Sequence, residues 1–346
     1  MLHQLSDREK NVLRYVIQQF ILTAAPVGSR NITKKYDLGY SPATVRNIMA
    51  DLEDLGYINH PHTSAGRVPT DSGYRFYVDG LMDSFEIPSQ EKEKINSALQ
   101  GTLSDTDTLL SVVGKILSDI TDQLACVIYP RFDAGKMVKI QLIKLSSNRL
   151  LVIITVESGL IKKITLEIDS EISEEQIILA ESLINEKLAG LTLSEIRKTF
   201  KERLSDTPVG DKPIMRLFFD SVDNLFTDVK TSDKVILAGA KNLLKKPEFE
   251  NAEHFQGVVE LIENKDIIIH IIEKSSEKLQ EKVFVSIGAE NPSPELSHFS
   301  IVAKEYMKDS TPGTLGVIGP RRMEYEKMVA IVDFVSTILS EYLKKG

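Results

Sequence analysis

One cysteine, Cys126, in a chain of 346 residues leaves no partner for an intrachain disulfide and no thiolate set for zinc, which suits a reducing compartment. Apolar stretches are short: Leu150 to Val156 and Ile267 to Ile272 fall far below the roughly 18 residues a membrane helix needs. The opening MLHQLSDREK has no apolar stretch of the kind that makes a secretory leader. Basic residues are outnumbered, 42 Lys and Arg against 50 Asp and Glu, so the net charge of −8 excludes a positive field around the whole molecule. Contact with nucleic acid must therefore be local, and no membrane partner is expected. At 42% hydrophobic and 27% charged the composition is that of a globular protein without a long disordered tail. The length gives a prior of about two to three domains, and a cytoplasmic location is expected.

Charge is uneven along the chain. Residues 1–80 carry nine basic and eight acidic side chains, net +1, so the whole negative excess lies beyond them. This segment also parses most closely. Ser6-Asp7-Arg8-Glu9 is a capping box, followed by Val12, Leu13, Val16, Ile17, Phe20 and Ile21 at helical spacing. Pro26-Val27-Gly28 breaks that helix, Ser29 is placed to cap a short second one through Tyr36, and Asp37-Leu38-Gly39 turns the chain. Ser41-Pro42 then sets an N-cap with proline at the first helical position, and Gly56 stands where a terminating glycine belongs.

In this third helix Val45, Ile48, Met49, Leu52 and Leu55 share one stripe. At 100° per residue the opposite face presents Ala43, Arg46, Asn47 and Ala50, with Thr44 at its flank. Two short extended pieces around Ser64-Ala65-Gly66 follow. Three helices and such a hairpin predict a winged helix-turn-helix, which inserts its third helix in the major groove and lays its wing along the backbone. Arg46 suits guanine O6 and N7, Asn47 suits adenine N6 and N7, and the small Ala43 and Ala50 allow close approach. Between residues 26 and 50, Arg30, Lys34, Lys35 and Arg46 face a single Asp37, a local +3 suited to phosphates. The bland alternative is a winged helix used only for protein contacts, with Arg46 on a solvated face.

Beyond a polar stretch, Pro88 to Lys94, the pattern gives a helix near 104–120 and a strand from Ala125 to Tyr129. A meander follows (Val138 to Leu145, Leu150 to Val156, Leu160 to Ile168), then helices near 173–189, 193–204 and 212–230. Next come a strand from Val235 to Ala238, a helix near 251–262, a strand near 267–272, and strands at 283–287, 300–306 and 315–318. A closing helix runs from about 322 to 343. The glycines of Gly313 to Gly319 lack the Lys-Ser/Thr of a phosphate loop and read as a strand. Cys126, inside an apolar strand, reads as a buried inert thiol. His60 and His62 lack a third ligand at metal spacing, and His270 reads as a strand-face histidine. No metal, cofactor or catalytic constellation is expected, so an enzyme is not the reading.

The run Ser41 to Glu53, then Gly56-Tyr57, then His62 to Arg75, closely resembles the heat-inducible transcription repressor family HrcA. The resemblance continues through Leu188 to Thr192, Asn242 to Leu244 with Pro247 to Phe249, Ile287-Gly288 with Glu290-Asn291, and Gly316 to Pro320. Two departures stand out: Arg321 replaces a usual threonine, and Ala238-Gly239-Ala240-Lys241 replaces a Gly/Ser/Thr-rich stretch.

The resemblance implies an α+β multidomain chain. Residues 1–90 would form the winged helix-turn-helix, residues 91–135 and 233–346 a GAF-like α/β domain, and residues 136–232 an α+β dimerisation domain inserted into it. It implies a homodimeric repressor of chaperone operons on an inverted-repeat (CIRCE) operator in double-stranded DNA, supported by a GroEL-type chaperonin. The expected base readers are Thr44, Arg46 and Asn47, with the small Ala43 beside them in the expected DNA-binding set. Lys34, Lys35 and Ser41, with Ser64, Gly66 and Arg67 of the wing, are expected on the DNA backbone. A repressor whose GAF-like domain senses a small metabolite is the alternative.

Overall fold

The computed structural model describes residues 5–61, 66–100, 106–168, 172–205, 213–227, 235–274, 282–292, 296–309 and 311–345. The chain is mixed α+β and divides into two compact units. The first comprises residues 1–127, 235–305 and 315–338; the second comprises residues 128–234, 306–314 and 339–346. No described helix is long and apolar enough to cross a membrane.

The first unit opens with helix α1 (Asp7–Thr23), started by the expected reciprocal cap between Ser6 and Glu9. Its Val12, Leu13, Val16 and Ile17 are fully buried. Helix α2 (Ser29–Lys35) follows, and here the expected cap shifts: Gly28 is the capping residue, Ser29 is already helical, and no side chain caps the start. Helix α3 (Pro42–Asp54) begins at Ser41, whose hydroxyl accepts from the Thr44 amide at 3.1 Å. Val45, Ile48, Met49 and Leu52 turn inward, so the apolar stripe packs against α1 and α2. Strands β1 (Ile58–Asn59) and β2 (Val68–Pro69) pair antiparallel, and a bridge from Val27 to Arg67 adds a third extended piece. Helix α4 (Asp71–Gly80) closes this block, capped by Thr70. Helices α5 (Ser89–Gln100) and α6 (Thr106–Thr121) lead into strand β3 (Leu124–Ile128), which carries Cys126 in its buried run.

The second unit holds the meander as read from sequence. Strands β4 (Met137–Ser146), β5 (Arg149–Val156) and β6 (Ile161–Glu167) form an antiparallel sheet. Alternation of side chains across the pleat sends Ile140, Val152 and Ile154 into a core completed by helices α7 (Glu174–Leu188), α8 (Leu193–Leu204) and α9 (Pro213–Phe226). The other face is open and mixed: by register it carries Ile143, Leu151, Ile153 and Ile161 beside Lys139, Gln141, Arg149, Thr155, Lys163 and Glu167, with Val138 and Leu145 at the register shifts of β4. Val138, Ile143, Leu145 and Ile161 are 45–57% exposed, and Leu151 and Ile153 lie half-buried on the same face by register.

The chain then returns to the first unit through β7 (Val235–Ala238), α10 (Ala240–Leu244), α11 (Ala252–Glu263) and α12 (Lys265–Lys274). Strands β8 (Phe284–Ile287), β9 (Phe299–Lys308) and β10 (Thr311–Pro320) and helix α13 (Tyr325–Lys345) end it. One five-stranded sheet results, ordered β7-β3-β10-β9-β8. The strand expected near 267–272 is helix α12. A six-residue isoleucine-rich run does not distinguish the two by periodicity, and in the helix Ile268, Ile269 and Ile271 are buried while His270 is exposed. The glycine-rich run 313–319 lies within β10, a single strand.

Candidate nucleic-acid interface

Helix α3 separates its side chains cleanly. Ala43, Thr44, Arg46, Asn47 and Ala50 are all exposed, while the intervening Val45, Ile48 and Met49 are buried. The cause is the 3.6-residue period acting on a helix whose start is fixed by Ser41 and Pro42. Ser41 is also exposed, its hydroxyl 3.0 Å from that of Thr44, so both hydroxyls are drawn into the cap. Arg46 and Asn47 make no hydrogen bond or ion pair with any described residue. Their donors are therefore free to meet an external partner.

The other expected contacts are held to different degrees. Lys34 is exposed and without a partner among the described residues. Lys35 is exposed, but its ammonium donates to Gln19 Oε1 at 2.8 Å and sits 5.6 Å from the centre of the Tyr36 ring. That ring stacks on Tyr15 at 4.0 Å, and burial, with Tyr15 second, raises the Tyr36 phenol above its ordinary value. Arg30, outside the expected set, is exposed at the start of α2. It adds a cation that the local charge count had already singled out.

At the ribbon, Arg67 is tied back: its Nε lies 2.7 Å from Glu53 Oε2 and its Nη1 2.9 Å from His60 Nδ1. Gly66 is buried, and a Cβ there would stand 2.6 Å from the carbonyl carbon of Pro26, so the position needs glycine for close backbone packing. Ser64 and His62 fall outside the described residues. Ala43, Thr44, Arg46 and Asn47 thus share one exposed face of α3, with Lys34 and Arg30 exposed on α2, whereas Gly66 and Arg67 serve the ribbon's own geometry.

Sequence reasoning did not find a second polar constellation, where α4 and α1 meet residues from far along the chain. Arg75 Nε donates to Glu290 Oε1 at 2.8 Å, and its Nη2 to Glu290 Oε2 at 2.5 Å and to the Val285 carbonyl at 2.7 Å. The hydrogen bonds to Glu290 hold the guanidinium charged, raising its pKa further. Asp71 accepts from the Ala289 amide and from Arg321, both at 2.9 Å. Tyr77 donates to Glu326, and Arg322 pairs with Glu248 while donating to the Ile21 carbonyl at 2.6 Å. The partners are separated by 74 to 301 positions, which no local pattern connects.

Comparison with known proteins places these features in a family. The model "HrcA protein C terminal domain" matches residues 107–329. A heat-inducible transcription repressor HrcA of Chlorobium phaeobacteroides (strain BS1) is 39% identical over 99% of this chain and 99% of its own. The protein of the same name from Prosthecochloris aestuarii is 39% identical over 97% of both chains. Among solved structures, a hypothetical protein at 2.2 Å resolution is 24% identical, covers 99% of both chains and superposes with a TM-score of 0.63, which supports the fold.

Proposed function

The chain belongs to the HrcA family of heat-inducible transcription repressors, and we propose that it acts as a homodimer reading an inverted-repeat operator of the CIRCE type. As a member of a repressor family it is a regulator rather than an enzyme. The carrying observation is the face of α3: Arg46 and Asn47 exposed and without partners among the described residues, flanked by the small Ala43 and Ala50. In this reading the first block is a winged helix-turn-helix with α3 in the major groove. Arg46 takes guanine, Asn47 takes adenine, and Thr44 meets base edges or a thymine methyl. Lys34, Lys35 and Ser41 take backbone phosphates, as does the turn at Ser64 to Arg67.

The five-stranded sheet with its helices takes the part of the GAF-like domain, and residues 136–232 that of an inserted dimerisation domain. The exposed Ile143 and Ile161 on the open sheet face, with Val138 and Leu145 at the register shifts of β4, support that assignment, because large exposed apolar side chains set among polar ones suit an association surface. Dimerisation presents two α3 helices to major grooves about one helical turn, or a multiple of it, apart, which supplies the symmetry of an inverted repeat. A GroEL-type chaperonin would return heat-opened chains to the native dimer, so repression follows free chaperonin in the cytoplasm. Operator occupancy after a heat pulse, with and without chaperonin and ATP, tests that step; equal recovery in both would remove it.

Selection of random duplexes by the purified protein tests the main reading, with enrichment of an inverted repeat expected and enrichment of nothing against it. A second reading, in which a small metabolite sets operator affinity, draws on a cleft of about 920 Å³ lined by Leu5, Leu55, Tyr57, Phe76, Arg75 and Glu290. A ligand screen by thermal shift discriminates the two.

A further inference from the structure

Helix α3 is coupled to the five-stranded sheet through an unbroken series of short contacts. It ends at Asp54, Leu55 caps it, and Gly56 and Tyr57 follow directly. The Thr70 hydroxyl donates to the Gly56 carbonyl at 2.7 Å and the Thr70 amide to the Tyr57 carbonyl at 3.1 Å. Gly73, one turn into α4, is pressed so closely to the Tyr57 carbonyl that a Cβ would lie 2.1 Å from its oxygen. Helix α4 therefore moves with α3.

Helix α4 is in turn bound to the sheet by the polar constellation described above. Asp71 and Arg75 are four residues apart, on one face of the helix. The Arg75–Glu290 pair is bidentate, the geometry in which guanidinium and carboxylate fix each other's orientation as well as distance. Glu290 is held by its own backbone, its Oε2 accepting from the Ile287 amide at 2.9 Å. Gly288 has a φ of +55°, and a Cβ there would fall 2.2 Å from an oxygen of Asp71, so the loop bearing the Ala289 amide is shaped around that carboxylate. Arg321 completes the Asp71 site, and Arg322 ties the C-terminal turn of α1 through Ile21.

We infer that Asp71, Arg75, Glu290 and Arg321 are positioning residues that fix the direction of α3 against the sheet, and so narrow the range of half-site separations the dimer accepts. The inference rests on the inverted-repeat reading above. Its physical basis is that each inserted base pair rotates one half-site by about 34° and shifts it by about 3.4 Å. A rigidly held pair of reading helices follows only one such geometry. A pair on free tethers follows several.

The test measures binding of the full-length dimer to operators whose central spacer is unchanged, or longer or shorter by two base pairs, together with binding to a single half-site. Wild type is expected to favour its best spacer by about tenfold or more. In the variant carrying Arg75→Ala and Arg321→Ala, that ratio should fall below about threefold while single half-site affinity stays within about twofold. The exchange of Arg75→Glu with Glu290→Arg should restore part of the discrimination that Arg75→Glu alone removes. If the alanine pair fails to fold, Arg75→Gln with Arg321→Gln makes the same comparison with less loss of packing. Variants that fold and discriminate spacers as wild type does would overturn the inference. A wild type that selects no inverted repeat would instead overturn the operator reading, and the inference with it.

Discussion

Lys162 offers a perturbation whose size can be worked from its surroundings. It lies on β6, only 8% exposed, and its ammonium donates to the carbonyls of Asn224 at 2.6 Å, Leu225 at 3.2 Å and Thr227 at 2.5 Å. These belong to the C-terminal end of α9, where carbonyls have no intrahelical donor and a cation is favoured. Hydrogen bonds to a charged group are worth roughly 1.5–3 kcal/mol each, and desolvation of the ammonium offsets part of that gain. Desolvation also lowers the Lys162 pKa from its ordinary value. Lys162→Met keeps most of the stem but strands three carbonyls, for a net loss of about 2–4 kcal/mol. At about 2–4 °C per kcal/mol for a protein region of this size, the melting temperature of the second unit should drop by about 5–15 °C.

Calorimetry reads this directly, and the temperature of operator release should fall with it. The sign with pH follows from linkage. The native pKa is lowered, so between it and the unfolded value near 10.5 the unfolded state holds more protons, and wild type gains stability relative to the variant as pH rises. A melting temperature within about 1 °C of wild type, or a gap that narrows toward alkaline pH, would refute the assignment.

Arg46→Ala should cost about 1–3 kcal/mol of specific binding and relax one base position in each half-site, with the melting temperature unchanged because the side chain is exposed and has no partner among the described residues; gel shift at fixed salt with calorimetry reads both. Gly73→Ala should destabilise the first unit by about 1–3 kcal/mol in denaturant titration, since its methyl would meet the Tyr57 carbonyl at 2.1 Å. Ile143→Glu with Ile161→Glu should shift sedimentation equilibrium toward monomer at micromolar concentration while leaving far-ultraviolet circular dichroism unchanged. Cys126, its thiol pushed up to about 12 by complete burial, should resist thiol reagents at pH 8 until the chain unfolds. Because the unfolded thiol ionises first, this group should subtract stability as pH rises above about 9, by at most about 1.4 kcal/mol per pH unit.

Locally encoded features were legible in the sequence. The Ser6–Glu9 box, the Ser41-Pro42 start and the two faces of α3 follow from contacts three or four residues apart. The meander was legible because alternation and turn residues agree. Where tertiary packing decides, the pattern misled. Ile267 to Ile272 has high strand propensity, yet it lies in α12, where the buried Ile268 and Ile271 are three residues apart on a helix face. For Arg67 the phosphate-contact reading remains part of the proposal, but nothing in its sequence neighbourhood announces that Glu53 and His60 hold it in the free protein. The contacts around Asp71, Arg75, Arg321 and Arg322 were invisible for the same reason: each joins parts of the chain that only the folded first unit brings together.

In the proposed function two copies of α3 read a symmetric operator through Arg46 and Asn47. Its most direct measurement is repeated selection from a random duplex pool with the wild-type protein and with Arg46→Ala, followed by sequencing of the bound fraction. The expected result is one inverted repeat for wild type, and for the variant the same repeat with a single relaxed position in each arm. Recovery of no repeat by wild type, or of an identical and equally sharp repeat by the variant, would contradict it.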